Sequence, residues 1–503
     1  MYTKKILNRF QNPKFAGEIK KADAVGEVGN VKCLLPNEKI LIDGDFLEIN
    51  KSNKRDIAFS HNLKNNIILK KFLRNYRGRI ITLKNLLGQV SLTEDHLVYA
   101  IKLPKHDKYF RTKYKKELVP AWYHASELEK RDIALYPVYN VVEDRKQIHF
   151  DIPKSKWDFK SKKLPNKIPL NNDFLRLCGY FLAEGHISEG MSKNFIQLAF
   201  NIKEKGYIED VKKIAKKLFD IDVTIRLEKS KNTAKVYLYS ADLARFFKKL
   251  FSNGAKNKSI PKILMKLPPN KQKSLLEGLW KGDGYVNISR ICPRAGYATI
   301  SFYLSQQTKI LLLRQRIVPS IYIDKEKKVR GVYHKEAYRI HVGQMDSLKK
   351  LCNILKIKYN PKSYEAISSW FDNGFLFTPI TEIARRNYKG KVCNLEVDRA
   401  HSFISEAFCL HNCGDIMRVY LKIEDNKIEK IRFKTYGCVA AIASTDYLCE
   451  IVKGKTLDQA VKITSKDVVK RMGKVPAVKL HCSVLAQNAL KKAIEEYKKR
   501  NKY

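Results

Sequence analysis

The spacing of hydrophobic and polar residues divides the chain into segments of different character. Residues 1–32 hold a short helical pattern and then a turn-rich, glycine-spaced stretch that is too small to bury a core alone. After residue 33, runs such as DIAFSHNLKNNIILK and GRIITLKNLLGQVSLTEDHLVYAIKLP are typical of many short strands. From about 170 to 370 the pattern indicates mixed helices and strands.

The carboxyl-terminal segment has elements that the first segment lacks. From Cys413 it opens in an alternating strand, IMRVYLKIED, and a second strand, KIEKIRFKTYG, follows after a turn. Two helical patterns come next, CVAAIASTDYLCEIVKG and SVLAQNALKKAIEEYKKR. Residues 1–32 and 413–503 therefore read as one small domain that residues 33–412 interrupt. We expect this insertion to separate residues 1–32 from the rest of their fold in the uncut chain.

Length and charge narrow the function classes. A chain of 503 residues is too long for one core, so two to four domains are expected. No apolar run is long enough to span a bilayer, and the amino terminus lacks the features of a signal peptide, so we expect a cytoplasmic protein with no membrane partner. Residues 33–412 hold 71 of the 98 Lys and Arg and 38 of the 51 Asp and Glu, and thus +33 of the formal +47. Such an excess points to a polyanion, such as nucleic acid.

The ten cysteines are expected to be reduced in such a compartment, which leaves packing, metal binding or nucleophilic chemistry as their uses. Five of them fall in apolar patterns and are predicted core residues: Cys178, Cys292, Cys352, Cys409 and Cys449.

The residues at the two ends of the insertion meet the requirements of protein self-splicing. This chemistry needs a nucleophile at the first residue, Cys33, an amide at the last, Asn412, and a second nucleophile directly after it, Cys413. Cys33 can move the Lys32 carbonyl onto its sulfur, and Cys413 can attack the resulting thioester. Asn412 can then cleave its own peptide bond through its side-chain amide. An S-to-N shift at Cys413 leaves an ordinary peptide bond between Lys32 and Cys413.

Candidate proton donors and hydrogen-bonding groups lie near both junctions in the sequence. Thr93 and His96, in LTEDH, have a spacing that can aim a hydroxyl and an imidazole at one scissile amide. His411 adjoins Asn412 and can donate a proton as that peptide bond breaks, and His401, in DRAHSF, is a further proton-transfer candidate.

Together these motifs resemble the splicing blocks of inteins: CLLPNEKI, LLGQVSLTEDH, KVCNLEVDRAHSF and FCLHN followed by Cys413. The resemblance implies an autocatalytic, all-β, horseshoe-like Hint splicing domain assembled from residues 33–152 and 376–412. Many inteins have Asp where this chain has Asn394, so this position departs from the family pattern.

Two apolar helices inside the insertion each end in a carboxylate followed by glycine. They are LCGYFLAEG, which ends at Glu184 and Gly185, and LLEGLWKGDG, which ends at Asp283 and Gly284. Glycine is a good helix terminator. An acid at a helix carboxyl end is unfavourable, because the helix dipole favours cations there, and a bound divalent cation would remove that objection.

Small residues in both helices would allow them to pack closely. Gly179, Ala183 and Gly278 would bring the two carboxylates near enough to share Mg²⁺ ions, as hydrolysis of a phosphodiester requires. The pair resembles the LAGLIDADG signature of homing endonucleases, and KNKSIPKIL at 256–264 is similar to a segment between the two helices of that family. The resemblance implies a pseudo-twofold αβ domain over residues 153–375 that binds and cuts double-stranded DNA. An endonuclease that has lost its activity is the alternative.

Removal of the insertion gives the sequence GEVGNVKCGDIMRVYLKIE across the junction. The joined sequence resembles the NifU/IscU family of iron–sulfur scaffolds. The resemblance implies transient binding of a [2Fe-2S] cluster or iron, with a cysteine desulfurase and recipient apo-proteins as partners. Zinc is the alternative metal, because three thiolates also suit it. The matching ligand residues are Cys413, Asp415, Cys438, His481 and Cys482.

The sequence therefore predicts a multidomain chain. It comprises an α+β scaffold split by insertion (1–32 and 413–503), an all-β splicing domain and an αβ endonuclease domain. The mature scaffold is not expected to be an enzyme. Two alternatives remain: a zinc-binding structural domain beside an inactive endonuclease, and a DNA-binding protein whose intein is inert.

Overall fold

The computed structural model describes residues 3–29, 32–104, 119–150, 164–188, 194–289, 291–329, 332–361, 368–412, 415–437, 439–473 and 481–501. The amino-terminal elements are α1 (Lys4–Gln11) and β1 (Ala24–Val28). Strands follow: β2 (Lys39–Ile42), β3 (Asp45–Glu48), β4 (Ile57–Phe59), β5 (Asn65–Asn85), β6 (Gly88–Thr93), β7 (Leu97–Ile101), β8 (Ala121–His124), β9 (Ile133–Pro137) and β10 (Gln147–His149).

Helices and strands then alternate: β11 (Lys167–Pro169), α2 (Asn172–Glu184), β12 (Gly185–Ser188), β13 (Phe195–Asn201), α3 (Lys205–Phe219), β14 (Thr224–Glu228), β15 (Thr233–Leu238), α4 (Ala241–Phe251), α5 (Lys262–Met265), α6 (Pro269–Asp283), β16 (Gly284–Asn287), β17 (Arg294–Thr299), α7 (Phe302–Arg314), β18 (Ser320–Asp324), β19 (Lys327–Val329), β20 (Val332–His334), β21 (Ala337–Val342) and α8 (Met345–Leu355).

Strands return after residue 368: β22 (Trp370–Asp372), β23 (Phe375–Pro379), β24 (Glu382–Val397), β25 (Ser402–Ile404) and β26 (Cys409–His411). The last elements are β27 (Ile416–Glu424), β28 (Lys427–Tyr436), α9 (Val439–Val452), α10 (Leu457–Val461), α11 (Ser465–Met472) and α12 (His481–Arg500). Among the helices of the described residues, none combines the length and hydrophobicity needed to cross a bilayer.

The two ends of the chain form one unit, which we call the end domain (residues 3–29 and 415–501). Its antiparallel sheet has the order β1-β27-β28, with Ala24 opposite Leu421 and Val28 opposite Met417. It has its own hydrophobic core, which includes residues of α1, α9 and α12. The expectation that the insertion separates residues 1–32 from their fold is therefore wrong. The separation is in sequence only, because the first strand pairs across the insertion.

Close backbone approaches fix β1 in this sheet. A Cβ on Gly26 would lie 2.0 Å from the carbonyl oxygen of Ala489 in α12, so only glycine lets that helix cross the strand. A Cβ on Gly29 would lie 2.2 Å from the Asp415 carbonyl oxygen. The chain therefore leaves the end domain beside the point where it re-enters.

The described residues 32–104, 119–150 and 368–412 form a unit of strands and short 3-10 turns, which we call the β domain. One of its sheets has the order β24-β5-β4-β2-β3, with β6 also on β5, and the other has the order β22-β23-β9-β7-β26-β25, with β8 on β7. The longest strands, β5 and β24, pair along their length as an antiparallel ribbon. Because β22 already belongs to the second sheet, we propose a boundary before Trp370 rather than at residue 376.

The described residues between 164 and 361 form an αβ domain of two similar halves. The first half runs from α2 to α4 and carries the sheet β12-β13-β15-β14, and the second runs from α6 to α8 and carries the sheet β16-β17-β21-β18. Helices α2 and α6, the first helices of the two halves, pack against each other at the centre. The order of elements and the sheet topology repeat, as a pseudo-twofold domain requires.

The αβ domain packs on the β domain through α7. Most of this helix is buried, including Lys309, whose Nζ donates to the Glu406 carbonyl oxygen at 2.5 Å. A second contact joins Ile321 N–H of β18 to the Leu86 carbonyl oxygen at 2.7 Å. The described parts of the two domains therefore share one hydrophobic core.

Candidate functional sites

The peptide bond between Lys32 and Cys33 is held at both of its polar atoms. The Cys33 N–H donates to Thr93 Oγ1 at 3.0 Å. The Asn394 side-chain amide donates to the Lys32 carbonyl oxygen. Cys33, Thr93 and Asn394 are all fully buried. This one peptide bond is thus polarised in a site that excludes bulk water.

The neighbouring imidazole of His96 is also fully buried. Burial lowers its pKa to about 3, and the charges of Lys32 and His411 act in the same direction, whereas the Lys32 backbone opposes them. His96 is therefore neutral at physiological pH, in which form it can accept a proton. The influence of His411 shows that the histidines of the two junctions lie close enough to act on each other.

The side chain of Asn412 is fixed by three hydrogen bonds. Its Oδ1 accepts from Val397 N at 3.2 Å, its Nδ2 donates to Val397 O at 3.2 Å, and its Nδ2 lies 3.3 Å from His401 Nδ1. The backbone of His401 has a φ of +52° and its carbonyl oxygen accepts from Asn412 N–H at 2.8 Å. The structure thus brings together the predicted residues His401 and Asn412.

His411 lies beside this asparagine at the end of β26. Its ring packs edge-on against Trp122, with 4.9 Å between the ring centroids. Cys413, the predicted second nucleophile, lies outside the described residues, and its role stays a prediction.

The two helix-end carboxylates of the αβ domain meet as predicted. Burial, and then the charge of Asp283, raise the pKa of Glu184 to about 8, and the two side chains share a hydrogen bond. Burial also raises the pKa of Asp283, although Lys258 opposes this. Ionisation of both buried carboxyl groups is unfavourable, and a divalent cation between them would stabilise the ionised forms.

Sequence reasoning noted the segment around Lys258 but assigned this residue no role. Its Nζ donates to the Ala183 carbonyl oxygen at 3.0 Å, one residue before Glu184. Burial lowers the pKa of Lys258 to about 8, and the charges of Asp283 and Glu184 oppose the shift. A cation is thus placed at the acidic pair. The basic residue in KNKSIPKIL was the available signal.

Glycines let the two central helices touch. A Cβ on Gly179 would lie 2.3 Å from the Leu275 carbonyl oxygen, and one on Gly278 would lie 2.1 Å from the Arg176 carbonyl oxygen. Close packing is therefore confirmed. Gly185 caps the first of these helices in an extended conformation, with φ −77°. There a Cβ would lie 2.4 Å from the Phe181 carbonyl oxygen.

Two of the predicted ligands of the end domain come together from distant parts of the sequence. The Cys482 Sγ lies 3.0 Å from Asp415 Oδ2, and both residues are buried. A Cβ on Gly437 would lie 2.3 Å from Asp415 Oδ1, so this aspartate also adjoins the residue before Cys438.

The other predicted ligands lie outside what the structure describes. Cys413 and Cys438 are not among the described residues, nor is the side chain of His481. No group of three or more His, Cys, Asp or Glu suited to a metal ion occurs among the described residues. The complete ligand set therefore stays a prediction.

The predicted core cysteines are buried with one exception. Cys178, Cys352, Cys409 and Cys449 are buried, but Cys292 is exposed. The prediction for Cys292 is wrong because its apolar neighbour Ile291 is itself 97% exposed, so the local apolar pattern does not mark a buried strand.

Comparison with known families agrees with this architecture. The NifU-like N terminal domain matches residues 397–503, and the LAGLIDADG-like domain matches residues 171–250 and 270–356. The chain therefore carries one domain of each of these two kinds. This arrangement is consistent with an IscU-like scaffold that an intein interrupts.

Individual proteins match parts of the chain. An uncharacterised protein of Methanocaldococcus jannaschii, MJ0043, is 29% identical over 78% of this chain and 51% of its own length. The iron-sulfur cluster assembly scaffold protein IscU 1 of Archaeoglobus fulgidus is 48% identical over 18% of this chain and 58% of its own. The chain thus spans between half and three fifths of these relatives. The structure of I-DmoI in complex with DNA and Mn aligns with 38% of this chain and 99% of its own at 12% identity and a TM-score of 0.29.

Proposed function

We propose that the chain excises residues 33–412 and joins Lys32 to Cys413. The main support is that both polar groups of the Lys32–Cys33 peptide bond are hydrogen-bonded. Its N–H donates to Thr93, and its carbonyl oxygen accepts from Asn394. The Asn394 donor is placed where negative charge develops when a nucleophile attacks the Lys32 carbonyl.

The chemistry starts at Cys33. Its sulfur attacks the Lys32 carbonyl carbon, the C–N bond breaks, and a thioester and a free amine result. Neutral His96 can take the thiol proton and pass it to the leaving nitrogen. Cys413 then takes over the acyl group through its own sulfur.

Release occurs at Asn412. Its side-chain nitrogen attacks its own carbonyl carbon, the bond to Cys413 breaks, and His411 can supply a proton to the leaving amine. That amine attacks the thioester, and the Lys32–Cys413 peptide bond forms. The held orientation of the Asn412 amide, between Val397 and His401, supports this step.

The test is a comparison of two expressed chains. The parent should yield a ligated product of residues 1–32 and 413–503 and a free insert, as masses in a spectrometer. The Cys33→Ala, Asn412→Ala variant should stay whole, because neither end can then react. Ligated product from that variant would rule out splicing at these junctions.

We also propose that the αβ domain cuts double-stranded DNA at the uninterrupted scaffold gene. Glu184 and Asp283 would hold Mg²⁺, which prefers one or two carboxylates completed by water and phosphate oxygens. When bound, the ion supplies charge stabilisation and an activated water for phosphodiester hydrolysis. Lys258 places its ammonium group beside Glu184, where its Nζ donates to the Ala183 carbonyl oxygen.

Glu184→Gln or Asp283→Asn should abolish Mg²⁺-dependent cutting of junction DNA and leave splicing intact, because the two sites are separate. DNA that is bound but never cut by the parent would identify the domain as an inactive remnant.

For the end domain we propose transient assembly of a [2Fe-2S] cluster as cargo. Asp415 and Cys482, already 3.0 Å apart, would act with Cys413, Cys438 and His481. A cysteine desulfurase and recipient apo-proteins would be its partners. Anaerobic reconstitution with iron and sulfide, followed by metal analysis, separates this role from that of a structural zinc domain. Retention of zinc alone would favour the latter.

A further inference from the structure

The long ribbon of β5 and β24 contains a repeated pentapeptide. Residues 75–79 read NYRGR, and residues 387–391 read NYKGK. The register places the two pentapeptides opposite each other in antiparallel orientation, with Arg77 directly across from Lys389. The ribbon therefore has a local twofold axis through this pair.

One face of the repeat is exposed and basic. Residues opposite or two apart share a face of a sheet, which here gives one set of six exposed residues. They are Asn75, Arg77, Arg79, Asn387, Lys389 and Lys391.

Three of the four basic residues on this face have no acidic partner among the described residues. Arg79 lies 3.4 Å from Glu94, but Arg77, Lys389 and Lys391 form no ion pair with the described residues. Like charges directly across a strand pair are destabilising. Folding alone gives no reason to set Arg77 against Lys389, whereas a polyanion would neutralise both.

The other face of the ribbon is anchored. The Tyr76 hydroxyl donates to the Arg79 carbonyl oxygen at 3.0 Å, and the Tyr388 hydroxyl donates to the Lys391 carbonyl oxygen at 2.9 Å. Both rings pack on a buried cluster that contains Cys33. The ribbon is therefore held by its inner face, and its outer cations are free to contact a ligand.

We propose that this basic ribbon face is a second surface for double-stranded DNA. A two-stranded ribbon fits the major groove, where Arg or Lys pairs with guanine and Asn with adenine. The inference extends the proposed DNA function to the β domain, so it rests on that function.

The position of the ribbon suits a shared duplex. Strand β5 ends at Asn85, next to Leu86, which bonds to the edge strand β18 of the αβ domain. From Leu86 back to Arg77 the strand spans at most roughly 30 Å, at about 3.4 Å per residue. This is close to one turn of DNA, about 34 Å. One turn of duplex beside β18 would therefore be long enough to reach the ribbon.

The test uses the whole chain with splicing blocked by Cys33→Ala and Asn412→Ala. The ribbon variant adds Arg77→Ala, Lys389→Ala and Lys391→Ala. A control adds Lys453→Ala, Lys462→Ala and Lys466→Ala, which remove the same charge from exposed sites of the end domain. Fluorescence anisotropy with a junction duplex measures Kd over a range of salt concentrations.

The ribbon variant should bind about 10- to 100-fold more weakly, and its slope of log K against log salt should shrink by about 2 to 3, about one unit for each positive charge removed from the duplex. The control should stay within about twofold. The same three substitutions are also made in a chain that keeps Cys33 and Asn412, and splicing of that chain reports that the ribbon still folds. If that chain does not splice, the double variant Arg77→Lys, Lys389→Ala replaces the triple variant.

Equal Kd and slope for ribbon variant and control would overturn the inference, and continued cutting by that variant would leave the endonuclease proposal standing. A parent chain that binds no duplex would refute both. Tighter binding of single-stranded DNA or RNA than of duplex would refute major-groove docking by the ribbon.

Discussion

The hydrogen bond from Asn394 to the Lys32 carbonyl oxygen leads to a quantitative prediction. Asn394→Ala removes a side-chain donor that bonds to the scissile carbonyl oxygen. Asn394 is fully buried, so its donor acts in a water-excluded site. Loss of one such donor lowers rates by about 10²- to 10³-fold, or about 2.7–4 kcal/mol of transition-state stabilisation. We expect the first acyl shift to slow by this factor.

The assay isolates the first step. In a chain with Asn412→Ala and Cys413→Ala, thiol reagents cleave only the thioester formed at Cys33, so release of residues 1–32 reports its rate. Asn85→Ala is the matched control, because Asn85 is also buried, donates to a carbonyl oxygen (Ala407, 2.8 Å) and accepts from a backbone N–H (Leu87, 2.8 Å). That variant should lose about 1–3 kcal/mol of stability but little rate. A cleavage rate for Asn394→Ala within about threefold of the Asn85→Ala rate would refute the role.

Three further predictions concern the other sites. Gly179→Ala should destabilise the αβ domain by about 1–3 kcal/mol, because its Cβ would meet the Leu275 carbonyl oxygen at 2.3 Å; an unchanged Tm would contradict the packing. Without divalent cations, stability should fall as pH rises from about 4.5 to about 8, because the folded state holds a proton on Glu184 that the unfolded state releases. Glu184→Gln should reduce this slope in thermal melts, and an unchanged slope would show that other groups cause it. Finally, the Cys33→Ala, Asn412→Ala precursor should hold less cluster than the spliced product after reconstitution, because Cys413 is still tied to the insert, and bound Zn²⁺ should slow splicing. Equal visible absorption would show that Cys413 does not limit assembly.

Sequence reasoning identified much of the splicing site, because its residues occur in short motifs at the ends of the insertion. Thr93, His401 and Asn412 lie where the motifs suggested. Asn394 was noted only as a departure from the family. Its contact with Lys32 joins residues that are remote in sequence, and it depends on the pairing of Leu34 with Cys393 in the folded chain.

The remaining misses have a similar physical cause. The glycine spacing around strand β1 suggests turns in the sequence. In the structure Gly26 lies within the strand, and it is glycine because helix α12 crosses there. The role of Lys258 depends on its approach to Ala183, and its place in a basic segment was the one sequence signal for it. The local hydrophobic periodicity predicts the type of element in which a residue lies. It does not predict which other element packs against that residue.

The contact between Gly29 and Asp415 gives the end domain a consequence for how the gene product matures. The fold of the host already brings its two chain ends side by side, so the strand pairing of the product exists before the insert leaves. If excision occurs as proposed, it changes the covalent connections of the chain, and the end domain does not need to refold. The end domain then holds together the two chain ends that are to be ligated. An insert moved into a flexible linker would lack this support.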